Sequence, residues 1–139
     1  MSLFNIFDIT ASGMSAQSVR LNTTASNIAN ADSVSSSVDK TYRARHPVFA
    51  AAMQNAADGQ SESVGVNVLG IVESNKPLNR EYAPDHPMAD KDGYIYKPNV
   101  NVIEEMTNMI SASRSYQTNV QLADSAKNMV NKTLALGKR

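Results

Sequence analysis

Asn99-Val-Asn-Val-Ile-Glu-Glu-Met106 opens a stretch that runs to Leu136 without a Gly or Pro, and Gly137 follows it. Apolar side chains recur there at helical spacing: Val102, Met106, Met109, Tyr116, Val120, Ala123, Val130 and Leu134, with Ser113 and Lys127 as polar members of the same row. Steps of three, four and seven read as an a/d-like seam. Asn101 is placed to cap the start, and Glu104 falls three residues later, where a capping-box acid sits. Glu104 and Glu105 suit the positive end of the helix dipole. Gly137 is placed to stop the helix, with Lys138 and Arg139 at its negative end. From Val102 to Leu136 such a helix is roughly 52 Å long, more than a small domain can cover by itself. It calls for partners.

Residues 3–31 form a second long periodic segment. Leu3, Phe7, Thr10, Met14, Gln17, Leu21, Thr24 and Ile28 follow one another at alternating steps of four and three. Asn5 and Asp8 suggest a cap and a first-turn acid. Gly13 has two readings: it lets another backbone come close, or it simply weakens the helix by about 1 kcal/mol. The segment stops at the Ser-rich loop Asp32-Ser-Val-Ser-Ser-Ser37.

Between the helices the pattern changes. Tyr42-Arg-Ala-Arg-His-Pro-Val-Phe49 alternates like a strand, and Pro47 confines it to an edge or a strand end. Residues 50–57 are helix-prone and stay unassigned, and 59–63 read as a flexible tip. Val64-Gly-Val-Asn-Val68 alternates strictly. Its apolar phase then shifts at Leu69 and Ile71 beside Gly70, which predicts a bulge or a bend. Pro77, Pro84, Pro87 and Asp92-Gly93 mark turns, and Tyr94-Ile-Tyr96 is a last short strand. The expected architecture is α+β: an N-terminal helix (1–32), a small β-rich unit (33–98) and a C-terminal helix (99–139). The two helices together are expected to form a coiled-coil-like shaft. Each would bury only one partly polar stripe on the other, so both are expected to stay largely disordered in the free monomer and to fold as copies pack.

Composition narrows the function. The chain has 139 residues, 42% of them hydrophobic but only 6% aromatic, so its core should be thin and aliphatic. A formal net charge of zero argues against nucleic acid or an anionic membrane as partner. The absence of cysteine excludes disulfides, thiolate zinc sites and cysteine nucleophiles. No apolar run is long enough to span a membrane, and the first residues lack the pattern of a cleaved signal. Asp85, His86, Asp90 and Asp92 lie close in sequence but lack the ligand order of a calcium loop, and a hydrated turn explains them. Glu104 and Glu105 point about 100° apart on a helix and cannot act as a catalytic pair. Tyr42, Arg43, Arg45 and His46 read as one exposed strand face, and Met106, Met109 and Met129 as helix-packing residues. No catalytic, cofactor-binding or metal-binding constellation is found, so the expectation is a non-enzymatic protein without a cofactor.

Several blocks resemble a known family. Ala25-Ser-Asn-Ile-Ala-Asn30, preceded by Gly13-Met-Ser-Ala-Gln17, is similar to the N-terminal signature of the flagellar rod, hook and axial proteins. The blocks Tyr42 to Phe49, Val72-Glu-Ser74 with Pro77-Leu78, His86-Pro87, Asp92 to Asn101, and Glu104 to Gln117 narrow the resemblance to proximal-rod members. It spans about Leu3 to Gly137.

The resemblance implies a structural subunit of the basal-body rod, exported through the flagellar type III apparatus without a cleaved signal. It would polymerise through its terminal helices into a tube that spans the periplasm around the export channel. The implied partners are copies of itself and the other proximal- and distal-rod proteins at the basal-body junction, in a hetero-oligomeric helical assembly. The expected assembly interface is Leu3, Phe7, Met14, Leu21 and Ile28 on the first helix. On the second it is Val102, Met106, Met109, Tyr116, Val120, Val130 and Leu134. The competing readings are another flagellar axial protein and a cytoplasmic helical adaptor or export chaperone.

Overall fold

The computed structural model describes residues 3–52 and 65–137, with the side chains of residues 3 and 4 left out. Helix α1 (Leu3–Ala29) and helix α2 (Val102–Leu136) flank four strands, β1 (Arg45–Ala52), β2 (Gly65–Glu73), β3 (Asn79–Tyr82) and β4 (Tyr94–Lys97). The strands form two antiparallel pairs, β1 with β2 and β3 with β4, so the α+β reading holds.

Helix α2 begins as its sequence dictates. The Asn101 side chain accepts from the backbone N–H groups of Ile103 (3.1 Å) and Glu104 (3.4 Å). Replacing Asn101 with Ala should cost about 1 kcal/mol and lower the thermal midpoint by a few degrees, which calorimetry would show. At the other end Gly137 caps the helix in an ordinary right-handed conformation (φ −75°), not the left-handed one that glycine alone favours. Lys138 and Arg139 lie outside the described residues. Helix α1 starts at Leu3, which puts Asn5 inside the helix rather than at its cap.

The helices run antiparallel. Asn27 meets Glu105, Arg20 bonds Asn108 (3.0 Å), and Gly13 lies beside Asn119. A Cβ on Gly13 would stand 2.8 Å from the Asn119 amide nitrogen, so this glycine makes room for that side chain of α2.

The buried row between the helices is not the expected apolar seam. It is built from Thr10, Ala16, Thr23, Thr24 and Asn27 on one side and Glu105, Ala112 and Ala126 on the other. Short side chains let the helices approach, and two of the threonines satisfy their hydroxyls within α1: Thr10 bonds the Ile6 carbonyl and Thr23 the Val19 carbonyl, each at 2.8 Å. On α1 the row read from the sequence holds two of these residues, Thr10 and Thr24, whereas on α2 Val102, Met106, Tyr116 and Leu134 of the expected row are exposed.

The β1–β2 ribbon lies along α1. Ser12 Oγ donates to the Ile9 carbonyl and accepts from the Val66 N–H (3.1 Å). The register jumps from Val48↔Gly70 to Phe49↔Val68, which leaves Leu69 unpaired. The bulge thus sits where the apolar phase of the sequence shifts. Of the helix-prone run, Ala50 to Ala52 belong to β1, and 53–57 and the 59–63 tip lie outside the described residues.

Strand β3 was hidden by its composition: Asn79-Arg-Glu-Tyr82 is fully exposed and polar, flanked by prolines. It stands because β4 pairs with it, with Arg80 stacked on Tyr94 and Lys97 bonded to Glu81. On its other side β4 bridges Ser35 through two backbone bonds of 3.0 Å, which draws the Ser-rich loop into the fold.

Asp90 closes the turn before β4. Its carboxylate accepts from the backbone N–H groups of Tyr94 (2.8 Å) and Asp92 (2.9 Å). The Tyr94 N–H, chiefly, holds this carboxyl below the usual range for Asp. Because its pKa is depressed in the folded chain, the turn keeps its full stability above the ordinary Asp pKa and loses it as pH falls through the depressed value. Protection of the Tyr94 amide in an NMR titration should follow that course and should be pH-independent in Asp90→Ala.

Candidate assembly interface

The family-like motif Ala25–Asn30 is organised around one side chain. Asn27 is wholly buried and uses all four of its hydrogen-bonding positions. Its Oδ1 accepts from the Tyr42 hydroxyl (2.9 Å) and the Arg45 N–H (2.9 Å). Its Nδ2 donates to the Arg45 carbonyl (2.8 Å) and to Glu105 Oε2 (3.1 Å). One amide thereby joins α1, β1, α2 and the loop before β1. The other motif residues are more open. Ala25, Ser26 and Ala29 are exposed, and Ile28 and Asn30 are half-buried. Asn30 Nδ2 donates to the Ser26 carbonyl (2.8 Å), and the Asn30 carbonyl accepts from Ser33, so this residue finishes the helix.

Tyr42 does not lie on an exposed strand face. Burial pushes its phenol pKa up, and Arg45 stacks 5.4 Å from its ring centre while pairing with Glu73 at the surface. Arg45 and His46 are exposed, as read.

A second amide completes the support. Ser74 N–H donates to the Ala44 carbonyl (2.7 Å), but the return bond is replaced by Asn99. Asn99 accepts from the Ala44 N–H (2.8 Å) and donates to the carbonyls of Ser74 (3.3 Å) and Lys76 (2.8 Å). Pro98 beside it is fully buried, and its carbonyl accepts from Asn79. The run Lys97-Pro-Asn-Val-Asn101 therefore packs, bridges and caps within five residues.

Little apolar material is buried by this frame. Among the described residues, the buried hydrophobic ones are Ala16, Ala44, Ile95, Ala112 and Ala126. Large apolar side chains face outward instead. Of the expected interface on α2, Val102, Met106 (53% exposed), Tyr116 and Leu134 (62%) are exposed, and Met109, Val120 and Val130 are half-buried. On α1, Phe7, Met14, Leu21 and Ile28 are half-buried, and the Leu3 side chain lies outside the described residues.

The sequence reading missed Ile103, Ile110, Leu122 and Leu136, which are all exposed, as is Met129, which it took for a helix-packing residue. The signal was available, since Leu122, Met129 and Leu136 recur every seven residues. Helix α2 thus carries large exposed apolar side chains on more than one face. The chain's accessible surface is 9853 Å², whereas a compact folded monomer of this mass exposes roughly 7,000 Å².

No cluster of three or more His, Cys, Asp or Glu among the described residues could hold a metal ion. An open groove of about 620 Å³ beside the end of α1 is lined by polar groups such as Ser33, Lys40, Thr41 and Arg43. No helix among the described residues is long and apolar enough to cross a membrane.

Two family models match the ends of the chain. "Flagella basal body rod protein" covers residues 7–35, and "Flagellar basal body rod FlgEFG protein C-terminal" covers residues 91–136. Among curated relatives, the flagellar basal-body rod protein FlgC of Salmonella typhimurium is 49% identical over 137 residues, 99% of each chain. Its counterpart in Escherichia coli O6:H1 is 50% identical over the same span and coverage. That of Buchnera aphidicola (Schizaphis graminum) is 42% identical over 139 residues, again 99% of each chain. The matched segments include the Asn27 hub, the Asn99 bridge and all of α2. The chain belongs to the FlgC family of flagellar basal-body rod proteins.

Proposed function

We propose that this structural rod subunit polymerises through the outward apolar faces of its terminal helices into the tubular proximal rod around the export channel. The observation that carries the reading is the inverted distribution of side chains. Small and polar residues hold the chain to itself, and large apolar ones are left for neighbours. Residues 1–32 and 99–139 act as one inner helical layer, and 33–98 as an outer unit anchored to it by Asn27 and Asn99. The predicted contact residues are Phe7, Met14, Leu21 and Ile28 with Val102, Met106, Met109, Tyr116, Val120, Val130 and Leu134, together with Leu3.

Contacts of this kind do not close on themselves, as a helical tube requires. The partners are copies of the chain and the proximal- and distal-rod proteins at the basal-body junction. The chain reaches the periplasm through the flagellar type III apparatus without a cleaved signal. Purified basal bodies from cells carrying a tagged chain test the reading. The tag should appear in the rod fraction with an intact N-terminus, and a tag confined to the cytosol would overturn it.

A further inference from the structure

The ribbon poses a problem for a protein that assembles through helices. A two-stranded sheet has two free edges, and free edges invite strand addition by other chains. Here the edges meet blocking groups at defined points. Both the N–H and the C=O of Arg45 turn outward, away from β2, and both are taken by the Asn27 amide at 2.9 and 2.8 Å. The amide thus occupies the place of a neighbouring strand. Pro47, two residues on, shares that outward parity and has no N–H to offer. On β2, Ser12 takes the outward N–H of Val66, and the bulge at Leu69 breaks the flat run beyond it.

We propose that Asn27 closes the outer edge of β1 against strand addition, apart from holding the ribbon to the helices. Chains are thereby kept from joining through their ribbons, and association is left to the helices. The last consequence rests on the assembly proposed above; the edge closure itself belongs to the single chain.

The test compares purified full-length Asn27→Ala with Ala112→Gly, which loosens the buried helix–helix row without touching the ribbon. Each is held at the same interval below its own melting midpoint. Asn27→Ala should form sheet-rich, thioflavin-binding aggregates about tenfold faster than Ala112→Gly. Adding Arg45→Pro to Asn27→Ala removes the freed N–H and should bring the rate back towards that of Ala112→Gly. If Asn27→Ala does not fold, Asn27→Asp serves. Combined with Glu105→Gln, so that no second carboxylate faces the new one, it keeps the acceptor for the Arg45 N–H and frees only the carbonyl of the ribbon edge, and it should give an intermediate rate. Equal rates for the two single variants, aggregates without added sheet, or no rescue by Arg45→Pro would each overturn the proposal. The proposed assembly would stand in all three cases, because these readouts do not depend on it.

Discussion

Asn27→Ala should destabilise the chain by about 3–5 kcal/mol, the largest loss expected from any single truncation here. The side chain itself buries little apolar area, so the loss comes from what it leaves behind. The Arg45 N–H and C=O, the Tyr42 hydroxyl and Glu105 Oε2 would all lose a partner, the carboxylate in a buried place and the other three in part-buried ones. A polar group stranded in that way costs about 1–3 kcal/mol, and a carboxylate costs more. Some of the loss is recovered because water can enter the cavity. Thermal or urea unfolding of the purified chain would measure it. Tyr42→Phe removes one of the four bonds and should cost only about 1 kcal/mol. Similar small losses for both variants would mean that the hub is not cooperative.

The second large effect should appear in assembly and not in stability. Met106→Asp combined with Leu134→Asp places two charges on side chains that are 53% and 62% exposed in the single chain. Such surface changes should alter folding stability by about 0.5 kcal/mol or less each. In a rod the same positions would be desolvated, and an unpaired carboxylate there costs several kcal/mol per subunit. The double variant should therefore melt like the unaltered chain yet fail to enter the rod, with swimming lost. Melting curves and motility assays on the same variant separate the two outcomes.

The existence of both long helices was legible because no Gly or Pro interrupts α2 and because the α1 row keeps a strict alternation of steps. The cap at Asn101 and the bulge beside Gly70 were legible too, each through a local rule with a stereochemical cause. What was not legible is which faces meet. Apolar periodicity marks buried faces only when a chain supplies its own partner, and here Ala112 and Glu105 are buried while Met106 is not. Strand β3 carries no apolar alternation, since pairing and the Arg80–Tyr94 stack hold it. The motif around Asn27 was recognised as a pattern. Its reason, one amide with four partners from distant parts of the chain, is a property of the tertiary structure and leaves no periodic trace. Asn99 is similar: its neighbour Asn101 announces itself as a cap, whereas bridging Ala44 to Ser74 requires knowing where the ribbon ends.

The central claim is that the outward apolar row of α2 is covered by neighbouring subunits. The chain has no cysteine, so Leu134→Cys introduces a single thiol whose reactivity reports on that surface alone. A maleimide probe should label the purified single chain readily, and labelling in intact basal bodies carrying a functional variant should be at least about tenfold slower, as expected for a buried thiol. Equal labelling in the free chain and in assembled rods would contradict the account.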